Sequence, residues 1–134
     1  MKRIFVVAAM LLRNEQLLLA RRGPAQSMPG QWEFPGGKVE AGEEPEAALA
    51  RELLEELALR IGPPVFFAEV IHCYPAFELR LRAYLVREWE GEPVLHEHAA
   101  LAWVPPAELL SYELTAADVP LARKLITFRE NPST

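Results

Sequence analysis

Three glutamates, Glu52, Glu55 and Glu56, carry the first chemical question this chain poses. They lie in the run GKVEAGEEPEAALARELLEELAL, from Gly37 to Leu59. Pro45 suits a first helical position, where its missing N–H costs nothing, and Glu46 to Leu57 is nearly all strong helix formers, so the spacing predicts a helix. At about 100° per residue, Ala50, Leu53, Leu54 and Leu57 form a core-facing stripe, with Glu52, Glu55 and Glu56 on the reverse side. Glu52 and Glu56 are like charges at i, i+4, and Arg51, within reach of Glu55, is the one basic residue inside the helix. One arginine does not balance three carboxylates. Such a face is either solvated or a seat for a cation. An all-oxygen donor set suits Mg²⁺, which shares a few carboxylates with substrate phosphates, better than Zn²⁺, which prefers His and Cys. Spacing alone favours the solvated face.

The full pattern reverses that preference. Gly37, five residues, Glu43, seven residues, Arg51-Glu52-Leu53, one residue, Glu55-Glu56, then Ala58-Leu59 resembles the signature of the Nudix hydrolases. There is one departure: the family usually has glycine where Ala58 stands. Glycine near a helix C-terminus adopts the left-handed conformation more cheaply than alanine by about 1 kcal/mol. Ala58 therefore puts the helix ending in question and leaves the acidic residues untouched.

The resemblance implies an α/β fold, the family's α/β/α sandwich of a mixed sheet with the motif helix packed on it, and hydrolysis of a diphosphate linkage. It implies Glu55 and Glu56 as leading Mg²⁺ ligands (Mn²⁺ substituting), Glu52 as a further ligand or as the base that deprotonates water, and the Gly37 carbonyl beside them. Arg51 would orient a neighbouring glutamate, and Glu43 would be structural or outer-shell. Trp32-Glu33-Phe34-Pro35-Gly36-Gly37-Lys38, the Trp89-Glu90-Gly91-Glu92-Pro93 turn and Ala116-Ala117-Asp118-Val119-Pro120 resemble the MutT branch, particularly its CTP pyrophosphohydrolase-like members. In that branch a loop glutamate approaches the metal. Glu97 matches it, the alternative being a plain loop charge, and His96 and His98 are expected to flank it rather than bind metal.

The same resemblance makes Glu33 and Asp118 candidates for reading a nucleobase edge, because a carboxylate accepts hydrogen bonds from an exocyclic amine. Each has a plainer alternative: Asp118, three residues after Thr115, as a helix cap, and Glu33 as a strand residue facing water. Phe34 either lines the base pocket or joins the core. Arg22 and Lys38 either bind phosphate or are solvated charges. Where MutT reads an oxidised guanine with asparagine, this chain aligns Arg123, which weakens a strict 8-oxo-dGTP assignment.

The implied activity is a Mg²⁺-dependent nucleoside triphosphate pyrophosphohydrolase that releases monophosphate and pyrophosphate. CTP, dCTP or oxidised and methylated nucleotides are the implied substrates, and pool sanitation the implied role. The alternatives are pyrophosphate removal from an RNA 5′ end and a non-catalytic nucleotide-sensing module.

The elements that must position these residues are legible in outline. The 134 residues, 51% hydrophobic, suffice for one domain over residues 1–134. The net charge of −5 argues against duplex nucleic acid as a partner. The lone Cys73 cannot form an internal disulfide, favours a reducing, cytoplasmic setting, and is expected to be buried in a strand. Lys2-Arg3 and the apolar run Ile4 to Leu12 continue through Arg13-Asn14-Glu15-Gln16 into Leu17 to Ala20, which reads as strand, turn, strand rather than a signal peptide. No run is long enough to span a membrane. Monomer and homodimer remain equally open. Further strands are expected at Trp32–Phe34, Val65–Tyr74 and Ala100–Val104. In another, Leu79, Leu81, Ala83 and Leu85 face inward and Glu78, Arg80, Arg82 and Tyr84 outward. Pro35-Gly36-Gly37 reads as a turn, and Pro105 to Leu110 and Val119 to Phe128 as helices.

Overall fold

The structure, a computed structural model, describes residues 1–130. Its strands are β1 (Lys2–Arg13), β2 (Gln16–Arg21), β3 (Trp32–Glu33), β4 (Gly36–Lys38), β5 (Arg60–Ile61), β6 (Val65–Cys73), β7 (Phe77–Val86), β8 (Trp89–Glu90) and β9 (Ala100–Val104). The helices are α1 (Pro45–Leu57) and α2 (Asp118–Glu130), and the helical segment expected over Pro105 to Leu110 is a 3₁₀ helix of the same length at Pro106–Ser111.

Strand β1 organises the sheet. It runs parallel to β7 from Lys2↔Phe77 to Leu11↔Val86, and β6 closes that edge antiparallel to β7. Its other edge pairs antiparallel with β4 at Val6–Ala8 and then with β2 at Leu12↔Leu17. The two-residue turn between β1 and β2 places Asn14 and Glu15 at φ 52° and 62°, the left-handed pair that matches the twist of a tight hairpin. Strand β2 in turn pairs with β3 and β9. β5 and β8 form a separate two-stranded ribbon that periodicity did not suggest, each being two residues long.

Burial on both faces of β1 explains its unbroken apolar run. Ala8 and Met10 join Leu81, Ala83, Leu121 and Leu125 in the layer under α2, while Val7, Ala9 and Leu11 join Leu49, Leu53 and Leu57 in the layer under α1. The sheet is thus sandwiched between helices, as the sequence led us to expect. Tyr84, expected to face outward, is 3% exposed, because the α1 layer covers that end of β7. Cys73, expected to be buried, is exposed at the end of the edge strand β6.

Helix α1 ends at Ala58 without the usual glycine. Ala58 takes the left-handed conformation at φ 58°, ψ 32°; its amide bonds to the Leu54 carbonyl, and the Leu59 amide to the Leu53 carbonyl. This paired closure, with Leu59 packed in the same buried cluster as Leu53, is what glycine commonly supports. Packing holds alanine in a conformation it does not prefer.

Candidate active site

The acidic residues of α1 do not sit opposite its apolar stripe. Ala50 and Leu54, expected in the core, are exposed, and the buried side is Ala48, Leu49, Leu53 and Leu57. On a helix the row Ala48–Glu52–Glu56 lies beside the row Leu49–Leu53–Leu57. Glu52 and Glu56 therefore face the sheet partly buried, and Glu55 is exposed. The sheet tolerates them because β4 offers glycine: a Cβ on Gly37 would stand 2.2 Å from Cδ of Glu52. Gly36 is closer still to β1, where a Cβ would lie 1.9 Å from the Val7 carbonyl oxygen. Gly36 and Gly37, expected as a turn, are strand residues whose missing side chains let β1, β4 and α1 meet.

Arg51 gathers the carboxylates around it. Its guanidinium donates to Glu43 at 2.7 and 2.9 Å, to Glu52 at 2.9 Å, to Glu55 at 3.4 Å and to the Lys38 carbonyl at 3.0 Å. The Arg51 bond is the main reason the Glu43 carboxyl is held down to about 2, with the Glu40 amide assisting. Burial pushes the Glu52 carboxyl up despite Arg51, and the like charges of Glu55 and Glu56 add to that rise. Glu56 keeps one buried oxygen, Oε2, with no hydrogen-bond partner. An orphaned, desolvated carboxylate oxygen in an all-oxygen cluster fits a hard divalent cation. As they stand, no three His, Cys, Asp or Glu side chains among the described residues are gathered tightly enough to grip one.

On the far side of β4 lies a cleft of about 370 Å³, within the range of small-molecule sites. Its walls include Arg22, Glu33, Phe34, Lys38, Tyr74 and Asp118. Phe34 is a core residue, 3% exposed, and also lines the cleft. Glu33 does not face water: Arg22 donates to its Oε1 at 2.7 Å, and His98 Nε2 lies 2.9 Å from its Oε2. Arg22 also binds the carbonyl and hydroxyl of Ser27, tying down the loop between β2 and β3. Asp118 is 4% exposed and accepts a hydrogen bond from the Thr115 hydroxyl; its Oδ1 is buried without a partner. Burial pushes its carboxyl up to about 7, the Thr115 bond opposing and the Glu33 charge adding. Lys38 is exposed at the cleft rim, its backbone bound to Arg51.

The loop before β9 splits the remaining candidates. Glu97 and His96 are exposed, whereas His98, expected merely to flank Glu97, is buried against Glu33. Sequence reasoning missed this contact, which spans 65 positions. It also missed the Tyr74–Phe77 stack at the cleft, with centroids 5.0 Å apart. Neither leaves a mark in local spacing.

A carboxylate helix against one side of a glycine strand, with a largely apolar cleft carrying a few convergent polar groups on the other, is the layout of a small-molecule enzyme site. The NUDIX domain model matches residues 2–125, and the chain belongs to that family of hydrolases acting on nucleotides. It is 42% identical over 130 residues to the CTP pyrophosphohydrolase of Escherichia coli (strain K12), covering 96% of each chain. Identity to the 8-oxo-dGTP diphosphatase of Haemophilus influenzae is 37% over 132 residues, with 97% of each chain covered. The solution structure of the Escherichia coli ORF135 protein superimposes with a TM-score of 0.89 at 38% identity, over 100% of this chain and 96% of that one.

Proposed function

We propose that residues 1–134 form a single catalytic domain, a Mg²⁺-dependent nucleoside triphosphate pyrophosphohydrolase that releases a nucleoside monophosphate and pyrophosphate. The observation that carries the metal requirement is the buried, unpartnered Oε2 of Glu56 within an oxygen-only cluster. Glu52, Glu55 and Glu56, with the Gly37 carbonyl and Glu97 from the loop, would hold the ion, Mn²⁺ substituting for Mg²⁺. Bound there, the ion supplies charge neutralisation on the phosphate oxygens. Glu52, whose proton affinity is raised by burial, is suited to take a proton from the attacking water. Arg51 fixes the Glu52 carboxylate, and Lys38 at the cleft rim offers positive charge to the phosphates, the Arg22 guanidinium being taken up by Glu33 and Ser27.

The base sits in the cleft. Glu33 presents acceptors to an exocyclic amine, and Asp118, kept protonated up to about 7, donates to a neighbouring ring nitrogen or carbonyl. An amine beside an acceptor is the edge of cytosine, so CTP, dCTP and their oxidised or methylated forms are the leading substrates, with oxidised guanine nucleotides next. The similarity to a CTP pyrophosphohydrolase and to an 8-oxo-dGTP diphosphatase supports the same range. The role is cleansing of the nucleotide pool in the cytoplasm. No described helix is long and apolar enough to cross a membrane.

The test is chromatographic analysis of products from a panel of ordinary, methylated and oxidised (d)NTPs and a short triphosphorylated RNA, with and without Mg²⁺. Monophosphate and pyrophosphate from one preferred nucleotide, only with Mg²⁺, is the expected result. Activity confined to the RNA, or none on any substrate, overturns the proposal.

A further inference from the structure

We infer that His98 is a positioning residue for base selection: it holds the Glu33 carboxylate in the orientation that reads the nucleobase. The inference rests on the reading of the cleft as the base site and adds a residue to it.

His98 is almost completely enclosed, its side chain 3% exposed, and Nε2 lies 2.9 Å from Glu33 Oε2. Arg22 holds the other oxygen of the same carboxylate at 2.7 Å. With one donor on each oxygen, the carboxylate plane cannot turn about its terminal bond. Each oxygen of an ionised carboxylate has two acceptor sites, so one on each remains for a ligand. Without His98, Glu33 would keep the Arg22 contact and regain rotation about it.

The backbone around His98 is built to hold it. The Ala99 amide donates to the Arg21 carbonyl at 2.8 Å, and Ala100 pairs with Arg21 in the β2–β9 ladder. Gly23 approaches so closely that a Cβ there would stand 2.8 Å from the Glu97 carbonyl oxygen. Residues 97–100 are thus fastened to the end of β2, while Glu33 pairs with Ala20 of that same strand. The end of β2 anchors both partners of Glu33: Arg22 directly follows it, and the segment carrying His98 is bonded to Arg21. His98 Nδ1 is buried with no partner. A ring whose only satisfied nitrogen is the one on Glu33 is there for that contact.

The experiment compares kcat and KM for the preferred nucleotide and the next-best base in wild type, His98→Leu, His98→Gln, His98→Asn, Glu33→Gln and the His98→Leu/Glu33→Gln double variant, with thermal melts of each. His98→Leu fills the space and removes the donor. We expect it to lower base discrimination about tenfold, mainly through KM of the preferred nucleotide. His98→Gln, whose longer amide can donate to the same oxygen, should recover most of that loss, and His98→Asn, which is too short, should not. The double variant should discriminate no worse than Glu33→Gln alone. If His98→Leu melts below the assay temperature, the Gln and Asn variants carry the comparison. Wild-type discrimination in His98→Leu or His98→Asn, or additive losses in the double variant, overturns the inference while the base site stands. An unchanged base ranking in Glu33→Gln overturns the base site itself, and the inference with it.

Discussion

Replacing Gly37 with alanine tests whether the seat of Glu52 on β4 matters to catalysis. The new methyl carbon would lie 2.2 Å from Cδ of Glu52, 2.3 Å from Oε2 and 2.7 Å from Oε1. Ordinary carbon contacts begin at about 3.5 Å, so the carboxylate must retreat by roughly 1.3 Å. It can do so, since the obstacle is the end of a flexible side chain, and Arg51 retains Glu43 when Glu52 moves. The stability cost is therefore about 1 kcal/mol or less, partly offset by the stiffer unfolded chain of alanine. A misplacement of about 1 Å at a catalytic group costs on the order of 100-fold in rate. Gly36→Ala is the control: its methyl meets the Val7 carbonyl at 1.9 Å and the Ala8 Cα at 2.8 Å, backbone atoms of β1 that cannot step aside. That variant should lose more than about 3 kcal/mol, among the large single-residue effects. Steady-state hydrolysis and thermal melting of both variants read the contrast. A folded Gly37→Ala protein with kcat/KM within twofold of wild type, or two variants with equal melting points, would refute the reasoning.

Three other substitutions probe the same structure. Ala58→Gly relieves the left-handed alanine at the end of α1 and should raise stability by about 1 kcal/mol, seen as a melting point higher by a few degrees; a fall would mean the alanine is not strained. Glu56→Gln keeps the side chain's size and removes the charge on the orphaned oxygen. Turnover should drop by orders of magnitude with an undiminished melting point, and near-normal turnover in the folded variant removes Glu56 from the metal-binding set. Asp118→Asn addresses pH. Burial raises the Asp118 carboxyl from 3.8 to about 7, so the folded state holds this proton more tightly than the unfolded chain. Its contribution to stability is full below about 4 and is lost as pH rises through 7, and the amide variant should flatten that decline in melts between pH 5 and 8. An unchanged slope would show that the carboxyl is ionised throughout.

Much of this fold was readable because its longer elements carry a period. The β1–β2 hairpin, β6, β9 and α2 match their predicted spans to within a few residues, each having a sustained apolar pattern. β4 was not readable: Gly-Gly-Lys has no strand propensity, and its pairing with Val6–Ala8 comes from β1. The same strand explains why α1 was rotated in our reading. Glu52 and Glu56 face the sheet because Gly37, fifteen positions before Glu52, leaves room for them. The motif singled out the acidic residues by type and order, but their burial depends on a neighbour that helical periodicity does not contain. Asp118 was read as a cap or a base reader; it is bonded by the Thr115 hydroxyl and stands in the cleft wall, contacts that its position in the sequence does not show. The clamp on Glu33 from Arg22 and His98 joins three separate segments, and only the folded chain brings them together.

The alternation along β1 separates two evolutionary problems. Ile4, Val6 and Ala8 reach the cleft, while Ala9 and Leu11 lie under α1 in the other core layer, and Val7 belongs to that layer as well as bordering the cleft. Under the proposed function, neighbouring residues of one strand therefore answer to different demands: one set to the shape of the cleft, the other to the footing of the carboxylate helix. Exchange of an aliphatic side chain in the first set can retune the substrate range and leave the hydrolytic apparatus where it was. Gly36 to Lys38 has no such freedom, because it forms one wall of the cleft and is also the floor on which Glu52 rests. A changed base preference with hydrolysis intact is therefore the outcome expected from exchanges at Ile4, Val6 or Ala8, and not from exchanges in Gly36 to Lys38.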